Sequence, residues 1–123
     1  IRSRKTVNRA LNIFFKNSRK YSSLRSINLM SETSFKSLRI VNNKLCSINS
    51  KDFNMDKYNM PQNNYPKTFV ANGIIDIYNT RNILKGYLLG NKSYPFLVND
   101  LNSDIDSIQD FKFAEYNLKK KLS

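Results

Sequence analysis

The most informative segment of the sequence lies near the end of the chain: Asn102-Ser103-Asp104-Ile105-Asp106-Ser107-Ile108-Gln109-Asp110-Phe111-Lys112-Phe113-Ala114-Glu115. One residue separates Asp104 from Asp106 in a segment with an extended pattern. Because side chains alternate along an extended backbone, we expect both carboxylates on one face, about 6–7 Å apart at Cα. Two close anions repel each other unless a cation lies between them, and hard divalent cations prefer oxygen ligands. The pair is therefore a candidate metal site.

The residues after this pair predict a helix that ends near Lys121 and holds the pair against a hydrophobic core. A second interpretation of the aspartates needs no metal. Asp106 followed by Gln109 has the spacing of a capping box, and a helix N-terminus favours carboxylates. One aspartate can cap the helix while its neighbour binds a cation, so both interpretations stay open. The residues at helical spacing are Ile108, Phe111, Ala114, Glu115 and Leu118.

The composition predicts a folded domain, or part of one, that attracts anions. The chain has 123 residues, of which 40% are hydrophobic, enough to support a core. It carries 21 Lys and Arg against 9 Asp and Glu, a net charge of +12. This excess favours nucleic acid, nucleotide phosphates or an acidic surface as partners. The basic residues are spread along the chain, however, and form no clean stripe on any predicted helix.

Cysteine and histidine usage narrows the chemistry. A single cysteine, Cys46, excludes an internal disulfide and indicates a reducing compartment. The absence of histidine excludes a Cys/His nucleophile pair, a His-based zinc site and a Ser-His-Asp triad within this chain. No apolar run approaches the ~20 residues of a membrane span, and no signal-peptide pattern opens the sequence. We therefore expect a cytoplasmic protein without a membrane partner.

The first half of the chain predicts a helix followed by three strands. Apolar residues at helical spacing indicate an amphipathic helix from about residue 4, capped by Ser3. Residues 21–29 predict a strand, and two short strands at 35–41 and 44–48 flank a hairpin turn at Asn42-Asn43. Residues 49–66 are polar, without a clear period, and predict a long structureless excursion that serves as a lid or an arm. The apolar helical positions are Val7, Ala10, Leu11, Phe14 and Phe15.

The second half alternates strands with helices. Residues 67–78 are the strongest strand pattern, interrupted by Gly73 as at a bulge or a close approach. A short helix at 79–85, capped by Asn79 or Thr80, and a strand at 94–98 follow. Helices and strands alternate at both ends of the chain, which predicts an α/β architecture. The predicted plan is a core formed by 1–30 and 67–123, with a hairpin arm at 31–66.

Three stretches together resemble the acylneuraminate cytidylyltransferases, also called CMP-sialic acid synthetases. Residues Pro61 to Tyr78 are similar to the family pattern of Pro-Arg-Gln, Leu-Pro, an aromatic residue and Asn-Gly before a strand. Residues Ser103 to Glu115 are similar to its closing Asp-Ile-Asp-Thr-x-x-Asp-Phe-x-x-Ala-Glu. Ile1-Arg2, opening into a helix, is similar to the residues after the family's Gln-Pro-Thr-Ser-Pro segment. The order and spacing of all three agree over nearly the whole chain.

The resemblance implies a Rossmann-like nucleotidyltransferase fold and a transfer reaction. CTP and a nonulosonic acid such as sialic acid would give a CMP-sugar and pyrophosphate, with Mg²⁺ held by Asp104 and Asp106. It also implies a homodimer, formed through the hairpin excursion, which lends basic residues to the partner's sugar carboxylate, and no nucleic-acid partner. The residues that it implies in substrate binding are Arg2, Lys36, Gln62, Asn72 and Gly73, with Lys36 assigned to the sugar carboxylate.

The sequence departs from the family in two places. Gln62 stands where the family often has arginine, and an amide lacks the charged fork that grips a carboxylate. The three glycines all follow residue 72, and none forms the Gly-rich loop that binds CTP. The chain thus resembles the C-terminal half of the enzyme, and we expect the N-terminal CTP-binding half to be absent. Two alternatives stay open: a basic nucleic-acid-binding module, whose interleaved Tyr and Phe would stack on bases, and a non-catalytic dimerising remnant.

Overall fold

Helices and strands alternate along the computed structural model, which describes residues 3–51, 54–98 and 105–122. Single turns of 3-10 helix lie at Ser34–Lys36 and Gln62–Asn64. The helices of the described chain are α1 (Arg4–Asn17), α2 (Met55–Tyr58), α3 (Thr80–Leu84) and α4 (Ile108–Leu122). The strands are β1 (Ser23–Leu29), β2 (Leu38–Val41), β3 (Lys44–Ser47), β4 (Phe69–Tyr78) and β5 (Ser93–Leu97). None of the helices that the structure describes has the length and apolarity needed to cross a bilayer.

β1 is the middle strand of a three-stranded mixed sheet with the order β4-β1-β5. β1 and β5 are parallel, with Ser23 opposite Ser93 and Ile27 opposite Leu97. β4 runs antiparallel to β1, because a later residue of β1 contacts an earlier residue of β4. Ser26 accepts from the Ile75 amide, and Asn28 accepts from Asn72. Helices and a mixed sheet in one small chain confirm the α/β class.

The chain divides into two compact units. The first unit contains Ile1–Asn28 and Ala71–Ser123, and the second unit contains Leu29–Val70. The hydrophobic core belongs to the first unit, and Tyr21 lies edge-on to Tyr94 there, with ring centroids 5.0 Å apart. The buried core residues are Ala10, Phe14, Leu24, Ile74, Phe96 and Val98.

α1 packs through one face, as its periodicity predicts. Ser3 caps it, since its Oγ accepts from the Thr6 amide at 3.0 Å. Ala10 and Phe14 are buried, and the Arg9 guanidinium lies 4.8 Å from the centroid of the Phe96 ring on β5. The prediction that Phe15 belongs to the buried face is wrong, because its side chain is 69% exposed. Phe15 directly follows Phe14 and so points about 100° away around the helix.

Two serines that the sequence analysis did not select are fully buried in β1. The Ser23 hydroxyl donates to the Leu89 carbonyl at 2.7 Å, and the Ser26 hydroxyl accepts from the Ile75 amide at 2.9 Å. Hydrogen bonds offset the cost of burying these hydroxyls. Gly90 fits closely beside them: its φ is +68°, and an added Cβ would lie 2.7 Å from the Ser22 hydroxyl.

The second unit contains the predicted hairpin. β2 and β3 are antiparallel, and Asn42 and Asn43 have φ angles of 50° and 58°. Positive φ at both central residues is the geometry of a type I′ turn, which confirms the predicted turn. The strand predicted to start at Phe35 is wrong in its first residues, because Phe35 lies in a 3-10 turn capped by Thr33. The prediction that 49–66 lacks structure is also wrong, since α2 and a second 3-10 turn lie within it.

The strands and helix predicted around β4 are confirmed. β4, α3 and β5 lie within two residues of the ranges that the pattern predicts. Asn79 caps α3, since its side-chain oxygen accepts from the Arg81 amide at 3.0 Å. Asn82 is the buried residue of α3, and its amide donates to the Ser22 carbonyl at 2.8 Å. This hydrogen bond connects α3, which follows β4, to the residue before β1.

Leu24→Ala is expected to lower the free energy of unfolding by about 2–5 kcal/mol, because it leaves a cavity in the middle strand of the sheet. Urea-induced unfolding followed by circular dichroism measures the change. Leu84→Ala removes the same atoms from a side chain that is 87% exposed. This control should change the stability by less than about 0.5 kcal/mol. Equal effects of the two substitutions would contradict the assignment of the core to β1.

Candidate functional site

The predicted metal pair lies partly outside the described residues. Asp104 falls in the stretch that the structure does not describe, so the spacing between the two carboxylates stays a prediction. Asp106 is exposed in the segment that leads into α4. Within 3–51, 54–98 and 105–122, no three Cys, Asp or Glu side chains lie close enough to hold a metal ion. Mg²⁺ binding therefore stays a proposal in which Asp104 and Asp106 are the protein ligands.

The helix after this pair is capped one residue later than the sequence predicts. The Ser107 hydroxyl accepts from the Asp110 amide at 3.2 Å, and the Asp110 carboxylate accepts from the Ser107 amide at 2.9 Å and from its hydroxyl at 2.6 Å. This reciprocal pair is a capping box, so the predicted box of Asp106 with Gln109 is wrong. Asp106 is thus not needed as a capping partner in that box.

The pKa of Asp110 lies below its usual value. The largest cause is the hydrogen bond from the Ser107 hydroxyl; the Ser107 and Asp106 backbones act in the same direction, and desolvation opposes them. Each of these bonds favours the ionised carboxylate. The cap is therefore formed by a charged side chain at neutral pH, where a helix N-terminus also favours negative charge.

α4 does not hold its apolar face in a core, contrary to the prediction. Ile108 is 77% exposed and Phe111 is 58% exposed. The half-buried side chains are instead Asp110, Ala114 and Asn117, which recur at helical spacing on another face. The periodicity of the sequence correctly indicates a helix, but the buried face is not the most apolar one.

A cavity in the second unit contains one of the residues implied in substrate binding. Its volume is about 420 Å³, within the range of small-molecule sites. Amides, hydroxyls, a lysine and an aromatic ring share its surface, a mixture that can bind both the hydroxyls and the carboxylate of a sugar acid. The lining residues are Leu29, Met30, Thr33, Gln62, Asn63, Tyr65, Pro66, Lys67 and Thr68.

Hydrogen bonds fix the wall that carries Gln62. Gln62 starts a 3-10 turn and donates from Nε2 to the Ser31 carbonyl at 2.8 Å. The hydroxyl of Thr68 accepts from the Ser34 amide at 3.1 Å, and Thr33 is buried. Residues that are far apart in sequence thus hold the two sides of the cavity in place. No spacing in the sequence indicates that Thr33 and Thr68 line one cavity, so the sequence analysis missed them.

Lys36 and Gln62 meet at Tyr65. The Lys36 ammonium lies 5.9 Å from the centroid of the Tyr65 ring, and the Phe35 ring stacks on Tyr65 at 6.5 Å. Tyr65 lines the cavity and its amide donates to the Gln62 carbonyl at 3.0 Å. Lys36 is therefore held beside the ring that forms one wall, although it is not itself a lining residue.

The remaining predicted residues lie in the first unit. Asn72 is half-buried on β4; it donates to Asn28 at 2.8 Å and accepts from the Ile74 amide at 3.2 Å. Gly73 follows with a φ of 64°, in the left-handed region that favours glycine. These contacts support a local irregularity in β4 at the position that the sequence predicts. Arg2 lies outside the described residues.

A scan of the sequence against models of known protein families found no match, and a search of curated protein sequences found none either. The resemblance to the acylneuraminate cytidylyltransferases therefore rests on the residues quoted above. Its functional implications are treated as proposals.

The Ser107–Asp110 cap predicts a pH dependence. Because the folded-state pKa of Asp110 is lowered, the ionised carboxylate stabilises the folded form above the unfolded pKa, and this contribution is lost as the pH falls through the folded pKa. Amide NMR signals of α4, followed from neutral pH into the acid range, should report fraying at its N-terminus. Asp110→Asn should remove this acid transition, whereas Asp56→Asn should retain it. An unchanged transition in Asp110→Asn would contradict the cap.

Proposed function

We propose that this chain is the sugar- and metal-binding half of a sugar-acid cytidylyltransferase. In this reaction the anomeric hydroxyl of a nonulosonic acid attacks the α-phosphate of CTP, which gives a CMP-sugar and releases pyrophosphate. Phosphoryl transfer of this type depends on positioning and on neutralising charge, and needs no covalent catalyst. A chain without histidine is compatible with that chemistry.

The observation that carries the proposal is the parallel pairing of β1 with β5. Ligands of open α/β sheets bind beyond the carboxyl ends of parallel strands. β5 ends at Leu97, and the chain that continues from this edge contains Asp104 and Asp106. The two aspartates therefore follow the edge of the sheet at which a nucleotide site is expected.

The proposed role of Asp104 and Asp106 is to hold Mg²⁺ against the phosphates. Mg²⁺ binds through one or two carboxylates together with substrate phosphates, so a pair of aspartates is sufficient from the protein. The bound ion would neutralise charge that develops on the α-phosphate and on the leaving pyrophosphate. Because the capping box uses Ser107 and Asp110, both aspartates before it are available for this role in the proposal.

The proposed sugar-acid site is the cavity of the second unit. Amide and hydroxyl groups of Gln62, Thr33 and Thr68 suit a polyhydroxylated ligand, and Tyr65 offers an apolar ring. Lys36, beside that ring, is the proposed partner of the sugar carboxylate. The amide of Gln62 offers hydrogen bonds without a charge, so this position favours neutral groups of the sugar. We place the reaction in the cytoplasm, where the free thiol of Cys46 stays reduced.

The proposed homodimer would form through the β2–β3 hairpin. Its apolar side chains are exposed in the single chain, with Ile40 and Ile48 more than half accessible. Exposed apolar side chains on a hairpin favour association when a second copy covers them. Dimerisation is proposed from the resemblance, in which the excursion lends basic residues, Lys36 among them by position, to the sugar carboxylate of the partner.

Asp106→Asn is expected to reduce CTP-dependent pyrophosphate release by at least about a hundredfold, because a neutral amide binds Mg²⁺ weakly. The assay uses the gene product that contains this chain, with CTP, Mg²⁺ and N-acetylneuraminate. Asp56→Asn, which neutralises an exposed aspartate on α2, is the matched control and should retain full activity. Absence of CTP-dependent release in the unmodified protein, or equal activity of the two variants, would refute the proposed reaction.

Lys36→Gln is expected to weaken N-acetylneuraminate binding about tenfold, since a hydrogen bond to a charged group is worth about 1.5–3 kcal/mol. Titration calorimetry in the absence of CTP measures this effect separately from catalysis. Lys44→Gln removes the same charge from an exposed position on β3 and should leave the affinity unchanged. Equal losses in both variants would show non-specific charge attraction in place of a carboxylate site.

A further inference from the structure

A second, larger cavity lies in the first unit and is used by none of the roles proposed above. Its volume is about 820 Å³. α1 contributes Phe14 and Phe15, the turn after it contributes Arg19, the end of β4 contributes Tyr78, and α3 contributes Arg81. Two parts of the chain that are distant in sequence, 14–19 and 77–81, therefore form one concave surface at the end of the sheet where β4 finishes.

The charge of this cavity favours an anion with more than one negative charge. Arg19 lies in the turn after α1 and Arg81 lies in α3, and no Asp or Glu is among the lining residues. Asp76, two residues before Tyr78, lies 3.7 Å from the Arg25 guanidinium and accepts from the Tyr78 hydroxyl at 3.3 Å. The negative charge of Asp76 thus faces the Arg25 guanidinium of the neighbouring strand β1. Guanidinium groups match the geometry of phosphate oxygens.

Tyr78 contributes an uncharged side chain to the lining of this cavity. Desolvation raises the pKa of its hydroxyl, and the negative charge of Asp76 raises it further. The phenol therefore stays protonated across the physiological range and adds no negative charge that would oppose an anion. Its hydroxyl is engaged with Asp76, so we expect it to contribute mainly its ring to the cavity.

The same surface presents an exposed aromatic ring next to the arginines. The Phe14 ring is buried and belongs to the core, whereas Phe15 is exposed. The two ring centroids lie 6.4 Å apart with an angle of 55° between the planes, so the buried ring supports the exposed one. An exposed phenylalanine in a basic cavity offers a stacking surface for a planar ligand.

We propose that the cavity of Phe15, Arg19, Tyr78 and Arg81 binds a nucleoside phosphate. The two arginines bind the phosphate, and the base lies against the exposed face of Phe15. The volume is within the range that encloses an organic ligand and exceeds what a lone phosphate fills. This site is separate from the sugar-acid cavity, which belongs to the second unit, and it needs neither Asp104 nor Asp106.

The test is a titration of the full chain with AMP, inorganic phosphate and adenosine, without divalent cations, followed by NMR. AMP should bind more tightly than either fragment, and the signals of Phe15 and Tyr78 should shift. Arg19→Gln and Arg81→Gln should each weaken AMP binding about tenfold, as expected for loss of a charged hydrogen-bonding partner. Phe15→Leu should weaken AMP binding at least about fivefold while leaving the affinity for phosphate unchanged.

Two controls separate this site from general attraction to a basic protein and from the proposed reaction. Arg39→Gln removes an exposed arginine on β2 in the second unit and should leave AMP binding unchanged. Asp106→Asn should also leave it unchanged, whatever its effect on pyrophosphate release. An equal loss in Arg39→Gln, an affinity for phosphate as high as for AMP, or no effect of Phe15→Leu would overturn the proposal. Thermal unfolding of each variant confirms that it is folded.

Discussion

The pairing of β1 with a strand on each side is the constraint on which the first unit depends. Leu24 is completely buried in this middle strand, and the neighbouring serines are buried with it. A serine inside a sheet destabilises the fold unless its hydroxyl is bonded. Ser26 accepts from β4, while Ser23 donates to the chain that leads into β5. The two serine hydroxyls thus connect β1 to both sides of the sheet, and Leu24 between them supplies apolar contact to the core.

The direction of β1 also determines at which edge of the sheet the proposed reaction would take place. Parallel pairing with β5 places two carboxyl ends at one edge, and antiparallel pairing places the end of β4 at the other. The segment with Asp104 and Asp106 continues from the first edge. A chain that paired β5 antiparallel to β1 would begin the segment after β5 at the opposite edge, away from the carboxyl end of β1. The proposed metal site therefore depends on strand direction as much as on the Asp-x-Asp spacing.

Local patterns predicted most of the elements, because local interactions determine them. Ser3, Asn79 and Asn42-Asn43 are short-range capping and turn residues, and each has its predicted geometry. The predictions that were wrong have two causes: some depend on contacts between residues distant in sequence, and one rests on a spacing that two residue pairs share. Ser107 with Asp110 and Asp106 with Gln109 both have capping-box spacing, and only the doubly bonded Asp110 carboxylate distinguishes them. The apolar pattern of α4 could not show which face is buried, since that depends on what packs against it. Likewise, only the fold brings Thr33, Gln62 and Thr68 around one cavity.

Strand direction also keeps the two proposed anion sites apart. Tyr78 ends β4, which runs antiparallel to β1, so the cavity with Arg19 and Arg81 lies towards the edge where β1 begins. The proposed Mg²⁺ segment continues from the opposite edge. A phosphate at either edge is attracted by the net charge of +12, but that long-range attraction is the same for both and is screened over about 10 Å at moderate salt. The preference of a phosphate ligand for one edge over the other must therefore come from the side chains that contact it. Paired carboxylates require a metal ion before they accept a phosphate, whereas paired guanidinium groups beside an aromatic ring do not, so divalent cations distinguish the two sites.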